Sequence, residues 1–244
     1  EWEWLLDRIF EQGKSLSALD RCIGQEIKEL GKPAFRHQIV LGLPEAIRGQ
    51  KDWGKLDGRE MDFSKEEDQI AATKWYIGEL VERFKAAKYK HLELSGFYWV
   101  AEDTHHCAEL TIPLSEYIHS EGKLFYWIPY WQAKGHEEWK RLGFDVAYQQ
   151  PNHFFNHSIP DSRLDEACAT ARRHGMAMEF EFDEKATAAI PNSSYDRMVA
   201  YIDHFEKNDV FNSSAVAYYC GNRGVLTLDE SDNPKDKALM DRLA

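Results

Sequence analysis

Two periods of apolar residues alternate along this chain. Short runs with a period of two, rich in β-branched and aromatic residues, are typical of strands, and stripes with a period of 3.6 between them are typical of helices. The predicted strands are HQIVLGL (37–43), HLELSGFYWV (91–100), LFYWIPYW (124–131), FDVAYQQ (144–150), 176–183 and SAVAYYC (214–220). Helical stripes include Leu19, Ile23, Ile27 and Leu30 in the first helix, and Met198, Ile202 and Phe205 in a later one.

Six strands that alternate with helices predict a parallel sheet with right-handed crossovers. An open doubly wound sheet and a (β/α)₈ barrel both fit this order. No G-x-G-x-x-G or Walker motif follows any strand, and polar and aromatic residues gather where several strands end, which favours the TIM-type barrel. A barrel needs eight strands, so we expect residues 1–244 to form one α/β barrel domain that lacks its first two strands at the N-terminus.

One predicted strand alternates strictly between apolar and acidic residues. In GMAMEFEFDE (175–184), Glu179, Glu181 and Asp183 share one face and the two phenylalanines the other. In a barrel that lacks two strands, this run is the seventh strand and 91–100 is the fourth. The acidic face then points into the barrel and the phenylalanines meet the helices.

A barrel with carboxylates at the ends of its fourth and seventh strands resembles the large glycosidase superfamily, in which the acid and the nucleophile occupy those places. Glycoside hydrolysis needs an acid and a second carboxylate as nucleophile or base. We predict Glu181 as nucleophile or base and Glu102, on the loop after 91–100, as the acid. Glu93 and Glu179 lie deeper in their strands. They are reserve catalytic candidates, or internal partners of groups such as Arg36.

Aromatic and amide residues near the strand ends are the predicted sugar-binding set, because aromatic faces stack on sugar C–H groups and amides bond hydroxyls. Core packing is the alternative for each aromatic residue, and Asp183 is as well suited to capping the next segment. The set is Tyr98, Trp99, Trp127, Tyr130, Gln150, Asn152, His153 and Asp183.

The net charge of −12 argues against nucleic acid as a partner. The apolar runs are too short to span a bilayer, so no membrane insertion is expected. Four cysteines without a CxxC pair are interpreted as free thiols, with Cys22 and Cys168 buried on helical stripes. The adjacent residues 105–107 (HHC) do not by themselves make a metal site, and we predict no metal and no cofactor.

Long motifs point to one family. The segments WGKLDGREMDFS, LELSGFYWVAED, WKRLGFDVAYQQPNHFF and RLDEACATARRHGMAMEFEFD, with YYCGN near the end, resemble the DUF4855 family, a domain of unknown function common among gut Bacteroidetes. The resemblance implies a glycosidase-type (β/α)₈ barrel in proteins that are longer at the N-terminus. It implies no catalytic residues.

Together these observations predict a glycoside hydrolase-like barrel that acts on an oligosaccharide or polysaccharide. Bacterial barrels of this kind are usually exported, so a periplasmic or cell-surface location is expected, although no signal segment is seen. A carbohydrate-binding barrel without catalysis is the first alternative. A metal-dependent hydrolase that uses the acidic row with His105, His106 or His153 is the second, and a scaffold module is the third.

Overall fold

The computed structural model describes residues 1–243 of the chain. Its strands are β1 (His37–Leu43), β2 (Lys55–Leu56), β3 (Arg59–Glu60), β4 (Leu92–Trp99), β5 (Leu124–Trp127), β6 (Val146–Gln149), β7 (Ala177–Phe182) and β8 (Val216–Cys220). Its helices are α1 (Trp2–Ile9), α2 (Ser15–Leu30), α3 (Glu66–Ala87), α4 (Ala108–Ser120), α5 (Ser162–His174), α6 (Tyr195–Lys207), α7 (Val210–Ser213), α8 (Gly224–Asp229) and α9 (Pro234–Leu243). Short 3₁₀ turns cover His136–Glu138 and Glu184–Ala186.

The chain divides into two compact units. The first consists of Glu1–Trp127 and Glu138–Asp145, and the second of Ile128–Glu137 and the chain from Val146 onward. In the first unit β1, β4 and β5 pair in parallel, and β2 and β3 form an antiparallel hairpin. In the second unit β6, β7 and β8 pair in parallel. Each unit is therefore a βα-type sheet with helical crossovers.

A β-bulge shifts the phase of β4 in the first unit. Ile39 pairs with Leu94, but the next residue of β1, Val40, pairs with Gly96. A Cβ atom at Gly96 would lie 2.2 Å from the backbone oxygen of Leu124. Glycine is therefore required there, because β5 approaches too closely for any side chain.

In the second unit, α5 and α6 cover the aromatic face of β7. Helix α5 ends at Gly175, whose φ of 64° is the left-handed conformation typical of a helix C-terminus. The ring of Phe180 lies 4.8 Å from Tyr201 and 5.4 Å from Phe205, both of α6. The phenylalanine face of β7 therefore packs against the helices, as predicted.

All six long strands predicted from the sequence are present, and within each unit they pair in parallel. The molecule has an α/β fold that is consistent with part of a TIM-like barrel. The closed eight-strand count and the single-domain boundary stay predictions.

The burial predicted for α2 is wrong. Leu16 is its buried residue, whereas Leu19 is 41% and Leu30 82% exposed. Cys22 is consequently exposed rather than buried, while Cys168 of α5 is buried as predicted. The apolar stripe of α2 was long enough to predict a helix, but the helix lies at the surface of the fold.

Candidate functional site

Glu181 lies next to the last residue of β7 and is almost completely buried. It is 2% exposed, and Glu179, two residues earlier on the same face, is 4% exposed. The Tyr201 hydroxyl donates to Glu181 Oε2 across 2.5 Å, and the backbone N–H of His153 donates to the same oxygen across 3.4 Å. A helix and a loop therefore hold this carboxylate from two directions.

Tyr201 is suited to act as a permanent donor to Glu181. Burial, and then the negative charge of Glu181, hold the pKa of the Tyr201 phenol well above its usual range. The phenol therefore keeps its proton at physiological pH. Because the phenol is protonated, the hydroxyl of Tyr201 donates to Glu181 Oε2 and so fixes the position of this side chain.

His153 is a neutral, buried part of the loop after β6. Its side chain is fully buried, and its Nε2 lies 2.8 Å from Asp161 Oδ1. Burial lowers the pKa of His153 to about 4, and the neighbouring Asp161 offsets only part of this shift. The neutral ring then donates from Nε2 to Asp161, and its Nδ1 is a buried acceptor for which residues 1–243 provide no hydrogen-bond partner. His153 therefore fixes the loop rather than facing solvent.

Arg197 of α6 fastens the same loop. Its guanidinium donates to the carbonyl oxygen of His153, to that of Asn156 across 3.0 Å and to that of Ile159 across 2.8 Å. It also lies 3.3 Å from Asp161 Oδ1. A planar group with five donors can satisfy several loop carbonyls at once. The backbone N–H that contacts Glu181 is therefore anchored through Arg197.

The remaining predicted residues of the second unit lie on the segments that follow β5, β6 and β7. Gln150, Asn152 and Asp183 are half-buried, and Tyr130 is 39% exposed. Asn152 has a left-handed φ of 52°, and its Oδ1 accepts the backbone N–H of Trp131 across 2.6 Å. Asp183 Oδ1 accepts the backbone N–H of Lys185 across 2.8 Å, which is the capping role considered from the sequence.

The predicted tryptophans of the first unit lie in its core. Trp99 is 3% exposed and packs edge-on against Phe125, with ring centroids 6.1 Å apart. Trp127 is fully buried, stacks on Phe144 at 4.9 Å and donates from Nε1 to the Ala101 oxygen across 2.8 Å. These two rings therefore supply packing and present no face to a ligand. Tyr98 is half-buried.

The two acids of the first unit are both solvent-exposed. Glu102 lies on the loop after β4, and Glu93 lies within β4. Glu93 Oε2 is 3.3 Å from the Gln38 amide nitrogen, on the neighbouring strand β1. Glu93 therefore contacts Gln38, whereas Arg36, the partner suggested from the sequence, donates to the Tyr89 oxygen. The acids of the two units differ clearly in solvent exposure.

The sequence profile of DUF4855, described as a domain of unknown function, matches residues 1–244. The chain belongs to the DUF4855 family. No curated protein matches it.

A solved structure shares the fold of this DUF4855 chain. It is the crystal structure of a protein from Bacteroides thetaiotaomicron VPI-5482 that is provisionally assigned as an alpha-L-fucosidase. The two share 14% sequence identity with a TM-score of 0.50, over 94% of this chain and 71% of that one. At this identity the likeness shows the fold alone.

Sequence reasoning missed Tyr201 and Arg197 of the DUF4855 chain. Tyr201 lies three residues after Met198 and four before Phe205, so it shares the apolar stripe of α6. A tyrosine on such a stripe carries its hydroxyl into the core, where it needs a hydrogen-bond partner. That signal was available in the sequence.

One cavity of the described chain lies away from Glu181. This cavity of about 520 Å³ in the second unit is lined by Cys168, Met178 and Ser214, at the amino ends of β7 and β8, whereas barrel enzymes place chemistry at the carboxyl ends.

Among residues 1–243, no three His, Cys, Asp or Glu side chains are grouped so as to hold a metal ion. In the same range no helix is both long and apolar enough to cross a bilayer.

Proposed function

We propose that this protein is a glycoside hydrolase that cleaves an oligosaccharide or polysaccharide with paired carboxylates. Glu181 acts as nucleophile or base, and Glu102 acts as the acid. Glu179 and Glu93 are the reserve carboxylates, and Gln150, Asn152 and Tyr130 contact sugar hydroxyls or ring faces. The glycosidase-like fold supports the reaction class. The roles of the residues are assigned from the need of glycoside hydrolysis for two carboxyl groups.

The observation that carries the proposal is the carboxylate of Glu181 near the carboxyl end of β7. A nucleophile or base must be ionised, oriented and shielded from bulk water. The protonated Tyr201 hydroxyl and the His153 N–H both donate to one oxygen, Oε2.

The reaction breaks one bond, between the glycosidic oxygen and the anomeric carbon. Glu102 gives its proton to the glycosidic oxygen as the bond to the anomeric carbon breaks. Glu181 either attacks that carbon, after which water releases the sugar, or takes a proton from the water that attacks. The first route retains the anomeric configuration and the second inverts it, so NMR of the first product anomer distinguishes the two routes.

The test is a screen of the protein against aryl glycosides and neutral polysaccharides. Glu181→Gln is expected to lower turnover by about 10³-fold. Glu166→Gln changes an exposed acid of α5 and is the matched control, with turnover expected to be unchanged. Turnover that survives Glu181→Gln would refute the central assignment.

A second candidate function is carbohydrate binding without catalysis. It is favoured by the 2% exposure of Glu181 and by its contact with Tyr201, which also suit a structural carboxylate. Saturable binding of an oligosaccharide with no turnover, unchanged in Glu181→Gln, would support this function over hydrolysis.

A further inference from the structure

Three tryptophans of the first unit surround a pocket. None of the predicted catalytic residues lines this pocket. The pocket has a volume of about 400 Å³, and its lining includes Trp2, Trp53 and Trp75. The Trp53 ring lies 5.5 Å from Trp2 and 5.7 Å from Trp75, nearly perpendicular to both. Trp53 and Trp75 are half-buried, so each keeps part of its indole surface at the pocket.

A hairpin fixes one wall of this pocket before any ligand arrives. Strands β2 and β3 are joined by Asp57 and Gly58, whose φ angles of 51° and 79° are both left-handed. This is the two-residue turn that a β-hairpin favours. The Met61 N–H also bonds the Gly54 oxygen across 2.9 Å. Trp53 is further held by Phe63, at 5.7 Å between ring centroids, so the aromatic wall needs little reordering.

Acidic groups surround the indoles. Glu3 and Asp57 line the pocket, and both are exposed. Lys55 lines it too, but its ammonium lies 3.2 Å from Glu60 Oε1. The pocket therefore offers carboxylate acceptors beside aromatic surfaces and repels an anionic ligand.

We propose that this aromatic pocket binds a neutral sugar residue of an oligosaccharide. Trp53 and Trp75 provide the stacking surfaces, and the carboxylates of Asp57 and Glu3 accept hydroxyl hydrogen bonds. An apolar platform with a few convergent polar groups is typical of small-molecule sites. This binding uses none of the carboxylates assigned to hydrolysis, so its success or failure is separate from that of the proposed function.

An alkylammonium ion is the competing ligand, because aromatic cages bind such cations. A cage encloses the cation with several open ring faces. Here Trp2 is only 8% exposed and packs edge-on against Tyr76 as well as Trp53. Two accessible indoles beside acceptors fit a sugar better than a cage.

The test is calorimetric titration with cellopentaose, maltopentaose, xylopentaose and mannopentaose, in the Glu181→Gln protein to prevent turnover. At least one is expected to bind, and Trp75→Ala is expected to weaken that binding about tenfold. Trp4→Ala is the matched control, because Trp4 belongs to α1, is 62% exposed and lies outside the pocket. It should bind like its parent.

A second pocket variant and an anionic sugar test the same proposal. Asp57→Ala should also weaken binding, and it tests the same pocket if Trp75→Ala fails to fold by circular dichroism. Oligogalacturonate, an anionic sugar, should not bind. The proposal is overturned if no neutral oligosaccharide binds below about 10 mM, if both pocket variants bind like the parent, or if choline binds and the sugars do not.

Discussion

Replacing Tyr201 with phenylalanine removes the hydroxyl that donates to Glu181 and little else. The phenylalanine ring keeps the contacts of Tyr201 with Phe180, Phe205 and His153, whose ring centroids lie 4.8, 5.5 and 5.3 Å away. A hydrogen bond to a charged group contributes about 1.5–3 kcal/mol. The His153 N–H, 3.4 Å from Glu181 Oε2, is too long to replace the contact that the substitution removes. We therefore expect the free energy of unfolding to fall by about 2 kcal/mol.

The assay is guanidinium unfolding at pH 7, followed by circular dichroism, for a double-mutant cycle. Tyr201→Phe, Glu181→Met and the double variant are compared with the parent. Methionine matches the length of glutamate without its charge, so the cycle isolates the bond between the two side chains. The expected coupling energy is about 1.5–3 kcal/mol. In a chain of this size the single change should also lower Tm by about 4–8 °C.

Additivity would refute this reasoning. If the two single effects sum to that of the double variant within about 0.5 kcal/mol, the Tyr201 hydroxyl does not stabilise the Glu181 carboxylate. The role given to Tyr201 in orienting the nucleophile would then be wrong as well, whatever the activity of the protein.

Three further predictions concern the rest of the fold. Because burial lowers the pKa of His153 to about 4 from 6.5, the unfolded chain binds the proton more tightly, so stability should fall by roughly 3 kcal/mol as the pH drops through that window. His153→Gln should flatten this dependence in urea titrations. Gly96→Ala should cost about 3 kcal/mol through its clash with β5, whereas Gly78→Ala, in the middle of α3, should gain about 0.5–1 kcal/mol in the same unfolding assay. Arg197→Met should speed hydrogen exchange at 153–161, measured by mass spectrometry, because three loop carbonyls lose their donor.

Each of these predictions has a result that contradicts it. His106→Gln changes an exposed histidine and should keep the pH dependence of the parent; if it flattens the curve as much as His153→Gln, burial of His153 is not the cause. Equal stabilities for the two glycine variants would mean that β5 moves away at no cost. Unchanged exchange in Arg197→Met would show that the loop is held by other contacts.

The strands were predictable because each is a short apolar run bounded by polar residues and glycine. Which side of a strand is buried was harder to predict, and β4 shows why. Regular alternation puts Leu92 and Leu94 on one face and Trp99 on the other. The bulge before Gly96 shifts the phase by one residue, so Trp99 is buried together with the two leucines. A single irregular pairing, invisible in the sequence, moved a predicted sugar-binding ring into the core.

The shared face of the two glutamates of β7 was predictable from the sequence, but the groups that contact them were not. The strict alternation of β7 identified Glu179 and Glu181, and both are buried. Tyr201 lies 20 residues beyond Glu181 in the sequence, and only the packing of α6 on β7 brings them together. The exposed Glu102 is different, because a loop side chain has neither a periodicity nor a fixed neighbour from which its surroundings could be inferred.

The four cysteines divide into two chemical classes. Burial raises the pKa of Cys107 to about 11 and that of Cys168 to about 12, so neither is a reactive thiolate at neutral pH. Cys22 and Cys220 are exposed, one in each unit. A maleimide dye or a nitroxide should therefore label these two native positions without mutagenesis. The protein thus carries its own pair of spectroscopic attachment points, from which the separation of the two units can be followed in solution while sugars are added.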